Sequence, residues 1–275
     1  MHKINEQYKY THPHTHGMSV LTPEYSAGTT YEYVDLGLPS GTLWAKMNVG
    51  ATSETDPGLY FAWGETEGYA DASTKAFRWN DYKFNPNGDG EIFTKYNPID
   101  NKVVLDSEDD AASVNMGGEW HMPTEEQCYE LLQETTNGFV TNAGVFTQYA
   151  WSDTDVNSSP TETIATIDDW NTAGYLFFKN TYISVTDAIS AEDYIFIPAA
   201  GVCENGDVSG VGEFGDVWSS SIDANNVNGA LFFSFDRGGA DVFSNIRCNG
   251  KPVRGVIGGS ESQGGGEGTD PNPEK

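Results

Sequence analysis

From Tyr31 onward, short apolar runs are broken by glycine at regular intervals, the texture of many short strands. Residues 32–36, 42–48 and 59–63 are the first strands this predicts, and 84–91 (FNPNGDGE) reads as a turn-rich loop. Two stretches shift to a helical period. Residues 106–116 (DSEDDAASVNM) put acids where the helix macrodipole favours them, and Gly117 and Gly118 stop the turn. Residues 124–135 (TEEQCYELLQET) follow Pro123 and open with a Thr124–Gln127 capping box. Cys128, Leu131, Leu132 and Thr135 share one face there, and Asn137-Gly138 marks the end. Strands then resume at 145–151, 175–178, 194–198, 217–220, 230–235 and 251–256. No internal repeat is visible.

Three regions follow. Residues 1–30 are polar and lack periodic apolar signal, so they read as an arm for docking or trimerisation. Residues 31–257 hold the domain. Residues 258–275 (GGSESQGGGEGTDPNPEK) form an acidic, glycine-rich tail with nothing to bury. Within the domain, 218–235 (WSSSIDANNVNGALFFSF) stands out. Asn225, Asn226 and Asn228 serve no core, yet Ala230, Phe232 and Phe233 follow at once. A surface loop held between two strands explains this, and such loops often carry binding residues. A plain asparagine turn without a ligand fits the same letters.

Composition narrows the options. Aromatics make up 13% of the chain, with 31 glycines and 12 prolines, which suits a loop-rich β or α+β domain better than a helical bundle. Lys and Arg number 14 against 41 Asp and Glu, a formal charge of −27. Such a chain repels phosphate backbones and anionic lipid, so no nucleic-acid partner is expected. No apolar run approaches the roughly 18 residues of a membrane span, so no membrane insertion is expected either. The first residues (MHKINEQYKYTHPHTHG) lack the apolar core of a signal peptide, which leads to the expectation of cytoplasmic synthesis. An extracellular role then needs a particle to carry the chain, or a leader lost from it. Cys128, Cys203 and Cys248 are odd in number and far apart, which predicts neither a disulfide framework nor a thiolate zinc site.

The sharpest chemical signal is HPHTH. His12, His14 and His16 share one face of an extended chain. Three chains wound about an axis would give six imidazoles per histidine pair, an octahedral cage for a transition metal such as iron or zinc. A solvated polar arm is the plainer reading. NPNGDG (85–90) resembles the start of a calcium loop, but its twelfth position is Tyr96 rather than a bidentate glutamate, so calcium is not expected. Glu108, Asp109 and Asp110 are explained as acids at a helix start. His121 sits between Trp120 and Met122, where packing explains it better than a Ser-His-acid site. No GxSxG, HExxH or phosphate loop occurs, and the expectation is a protein that is not an enzyme.

Several phrases taken in order carry a resemblance: YVDLGLPSGTLWA, YFAWGETE, DDAA, GGEWHMPTEEQ, IFIPAAG, VWSSS and PVRGV. Together they resemble the Fibrobacter succinogenes major-paralogous domain family of gut Bacteroidetes and their phages. That family looks related to formylglycine-generating enzymes and to retroelement-diversified variable proteins. The resemblance implies an α+β, C-type-lectin-like fold over residues 31–257, with many short antiparallel strands and two helices. The cysteine pair of the related enzymes is not matched by Cys203 and Cys248. By the same resemblance Trp218, Phe233 and Phe235 would be scaffold, while Asp223, Asn225, Asn226 and Asn228 would face outward. A second loop, 236–249, would lie beside them, with Asp236, Arg237, Asp241, Phe243, Asn245 and Asn249 as further contacts. Asparagine and aspartate offer short, rigid polar groups to paired hydroxyls, and Phe243 offers a face for a sugar. These readings point to a homotrimeric binding module on a phage virion, a fibre tip that recognises a bacterial surface glycan or protein. Its arm would join other virion proteins. A Bacteroidetes cell-surface or secreted carbohydrate-binding protein, or a virion decoration protein, are the alternatives.

Overall fold

A computed structural model describes residues 31–149, 160–166, 171–179 and 192–259, with backbone only for 160–166. The first strands are β1 (Tyr33–Val34), β2 (Leu43–Asn48) and β3 (Tyr60–Phe61). After a long loop segment come α1 (Ala111–Met116) and α2 (Glu125–Glu134). Next are β4 (Thr136–Val140), β5 (Val145–Tyr149), β6 (Pro160–Thr166), β7 (Gly174–Phe178) and β8 (Tyr194–Pro198). The short hairpin β9 (Val202–Glu204) and β10 (Asp207–Ser209) precedes β11 (Gly215–Ile222), β12 (Gly229–Asp236) and β13 (Gly239–Ile246). β14 (Lys251–Pro252) and β15 (Arg254–Ile257) close the order.

Paired strands run antiparallel. β1, β2 and β15 form one sheet, and β3 pairs with β14, so the two ends of the domain are bound to each other. A five-stranded sheet runs β6–β5–β4–β7–β8, and a three-stranded ribbon runs β11–β12–β13. Two large aromatic clusters fill the spaces. One gathers Phe61, Trp63, Phe77, Tyr96 and Trp218, and the other gathers Trp44, Leu131, Tyr175, Phe177, Phe233 and Val256.

The α+β, C-type-lectin-like class expected from the resemblance is corrected here: among the described residues strands hold 36% and helices 10%, a mostly-β arrangement of several small antiparallel sheets. The physical reasons are local. The acids of 106–110 do not enter α1, because Asp110 caps it by accepting the Ser113 N–H at 2.8 Å while Asp106 and Asp109 are drawn to lysines. Asn137-Gly138, read as a helix stop, lies inside the central strand β4. The Asn137 side chain still seals the end of α2, donating to Leu132 O at 3.0 Å. Gly138 is there because β5 comes close: a Cβ would lie 2.2 Å from Thr147 O. Residues 239–246, expected as part of a loop, form strand β13.

Within these corrections the two helices hold. Thr124 caps α2 as its sequence predicts, with Gln127 N donating to Thr124 Oγ1 and Thr124 N donating to Gln127 Oε1. Cys128, Leu131, Leu132 and Thr135 are all buried on one face.

Candidate binding face

The ribbon β11–β12–β13 carries most of the residues singled out in the sequence. Its central strand is apolar on both faces, which a strand covered on both sides requires. On one face Phe233 and Phe235 pack against Phe177 and Tyr175, with ring centroids 5.5 and 5.3 Å apart. On the other, Trp218, Phe232 and Phe243 stand opposite one another across the three strands. Trp218 is fixed there, its Nε1 donating to Phe61 O at 2.8 Å. Trp218, Phe233 and Phe235 are therefore scaffold, as the resemblance implied. The aromatic row runs from full burial at Trp218 to 43% exposure at Phe243.

The predicted contacts do not form one patch. Asp223–Asn228 closes the β11–β12 end as a tight loop, with Asn226 N donating to Asp223 O at 3.1 Å and Gly229 N to Asn226 O at 2.8 Å. The Asp223 and Asn226 side chains stabilise it, accepting from Asn225 N at 2.8 Å and Asn228 N at 3.2 Å. Asn225 and Asn226 are exposed, Asp223 and Asn228 half-buried. Asp236 and Arg237 sit at the opposite end of β12, in the turn to β13. At ~3.4 Å per residue the eight-residue strand separates the two ends by roughly 24 Å. Asn245 lies opposite Ala230, near the asparagine loop, whereas Asp241 lies opposite Ser234, near the turn. Asn249 is buried and donates to Glu204 Oε2 at 3.3 Å, so it supports the fold rather than a surface.

Near the turn the ribbon surface dips into a hollow of about 180 Å³, bounded by Ser234, Asp236, Asp241 and Phe243 among others. Register explains why these four meet, since 234 and 236 on β12 and 241 and 243 on β13 project from the same side. Beneath them Ser234 Oγ donates to Asp216 Oδ1 at 2.7 Å, and Lys251 Nζ donates to Asp216 Oδ2. Both members of that ion pair are buried. Burial pushes the Lys251 ammonium below its ordinary pKa, and the Asp216 carboxylate opposes this. Lys251 also stands over the Phe232 ring, 4.0 Å from its centroid. Sequence reading missed Ser234, Asp216 and Lys251. The available signal was alternation: a serine between Phe233 and Phe235, and an aspartate two residues before Trp218.

Elsewhere, candidate metal and catalytic groups are already engaged. Asp106, Glu108 and Asp109 gather their oxygens as a metal site would, but Lys95 Nζ lies among them at 2.6, 2.9 and 2.5 Å. Burial raises the Asp109 pKa, yet bonds from Lys83, Lys95 and Tyr96 outweigh it and hold the carboxyl below its usual range. In the calcium-like loop Asn85 Oδ1 accepts from Gly90 N at 2.9 Å and Asp89 Oδ1 from Glu91 N at 2.9 Å, an internally satisfied turn. His121 Nδ1 lies 2.9 Å from Met122 O, and both Asp110 oxygens accept backbone N–H groups. The two residues line a second hollow, of about 350 Å³. Cys203 and Cys248 are free and buried, with thiols pushed up to about 12 by burial. His12, His14 and His16 lie outside the described residues. No protein-family model, curated protein or solved structure matches this chain.

Proposed function

We propose that the chain is a non-enzymatic binding module, carried on a phage particle as a fibre tip or adhesion protein, that recognises a bacterial surface glycan or protein through the β11–β12–β13 ribbon. The observation that carries this reading is the hollow beside Phe243. An exposed aromatic ring on the edge strand β13 stands next to two carboxylates, Asp241 on the same strand and Asp236 on β12, whose Phe233 and Phe235 are locked into the core. Concave sites with an apolar wall and a few converging polar groups are where ligands bind. The asparagine loop at the far end of the ribbon supplies a second contact region on an extended ligand. The phrases resembling the major-paralogous domain family favour the phage or surface setting.

The test is adhesion. Labelled protein is measured on bacterial cells by flow cytometry for wild type and for Asn225→Ala, Asp241→Asn and Phe243→Ala. These variants are expected to lose adhesion while their melting temperatures stay nearly unchanged. Parallel loss of adhesion and stability would defeat the reading, because it would make the ribbon a structural element only.

A further inference from the structure

The hollow beside Phe243 has a donor–acceptor polarity that is set from below. Ser234 stands between Asp216 on one neighbouring strand and Asp241 on the other. Its only hydroxyl hydrogen goes to Asp216, whose second oxygen is held by Lys251. Neither member of that buried pair can leave the other without stranding a charge in apolar surroundings. Ser234 therefore offers the hollow lone pairs and no hydrogen. The carboxylates of Asp236 and Asp241 only accept as well, and each commits one oxygen to a backbone N–H, of Gly238 and Val242. The rest of the wall is Phe235, the Gly238–Ala240 backbone, whose Gly238 N–H is already given to Asp236, and the Phe243 ring, whose face attracts cations. Arg237 lies at the adjacent turn but does not line the hollow. A matching ligand must bring the hydrogens, and with two carboxylates facing it, positive charge.

We propose that this hollow binds the ammonium group of an amino sugar, with Asp236, Asp241 and Ser234 accepting its N–H bonds and Phe243 covering the sugar's apolar face. The inference rests on the ribbon being the contact face and narrows its ligand to glycans with non-acetylated amino sugars. An N-acetylated or neutral sugar can give the carboxylates neutral O–H or N–H hydrogens but brings no charge to offset their desolvation. The chain's formal charge of −27 adds a long-range attraction that salt screens.

Calorimetric titration of the full chain, in EDTA, with D-glucosamine, N-acetyl-D-glucosamine, D-glucose and Nα-acetyl-lysine amide decides the matter. Glucosamine is expected to bind on the order of tenfold or more tightly than the acetylated or neutral sugar, the scale of one charge-assisted hydrogen bond. Asp241→Asn and Phe243→Ala, both at surface positions, are expected to remove that preference without moving the melting temperature, and added salt to weaken it. Equal binding of glucose, indifference to Asp241→Asn, or absence of glucosamine binding would overturn the proposal. Tighter binding of the lysine amide would overturn the sugar as the source of the ammonium. If adhesion to cells still depends on the ribbon when glucosamine fails, only the ligand class falls and the binding function stands.

Discussion

Lys251 shows how a single side chain serves both stability and site. Its charge is fully buried against Asp216 and over Phe232. Breaking such a pair leaves one uncompensated charge, which costs about 3–5 kcal/mol. Lys251→Met is expected to lower unfolding free energy by that order in denaturant titration, and adding Asp216→Asn to restore much of it. A null effect of the single variant would remove the pair from the account. Asp109 acts through pH. Its pKa is depressed in the fold by Lys83, Lys95 and Tyr96, so its contribution is complete above the unfolded value of about 3.9 and is lost as pH falls through the lower folded one. Acid titration of stability below about pH 4 is therefore expected to be shallower in Asp109→Asn than in wild type. At neutral pH that variant should be less stable by about 2–3 kcal/mol, the scale of hydrogen bonds to a charged group.

At the scale of elements, the legible parts were those written in local chemistry. The capping box of α2 depends on residues three apart, and the structure reproduces it. Thr124→Ala is expected to cost about 1 kcal/mol in thermal melts. Strands written as continuous apolar runs, such as β8 and β12, were equally visible. What escaped was set by partners distant in sequence. Gly138 looked like a helix stop because nothing local shows that Thr147 presses on it from β5. β13 reads as loop because its exposed residues, among them Ser244 and Ile246, hide its pairing with β12. The candidate site was half legible for the same reason. Asp241 and Phe243 could be singled out as surface contacts, whereas Ser234 and Asp216 acquire meaning only once register sets them side by side.

The whole molecule is held by side chains that join sheets. Arg254, on β15, donates to Asn48 Oδ1 and Ala45 O on β2, both at 2.8 Å, and to Phe196 O on β8 at 2.9 Å. Its planar fork reaches three acceptors that one ammonium cannot match. Arg254→Lys is expected to destabilise the domain by about 2–3 kcal/mol through unsatisfied buried carbonyls, read by denaturant unfolding. The −27 formal charge surrounds this frame and suits a cationic ligand more than an anionic one. The central claim, that the ribbon is the contact face, is tested most directly by nuclear magnetic resonance, titrating isotope-labelled protein with oligosaccharides released from bacterial surface glycans. The predicted result is a saturable set of backbone shifts centred on Ser234, Asp241 and Phe243 and extending toward Asn225. Shifts gathered instead around Trp120 and His121, with the ribbon unmoved, would contradict it.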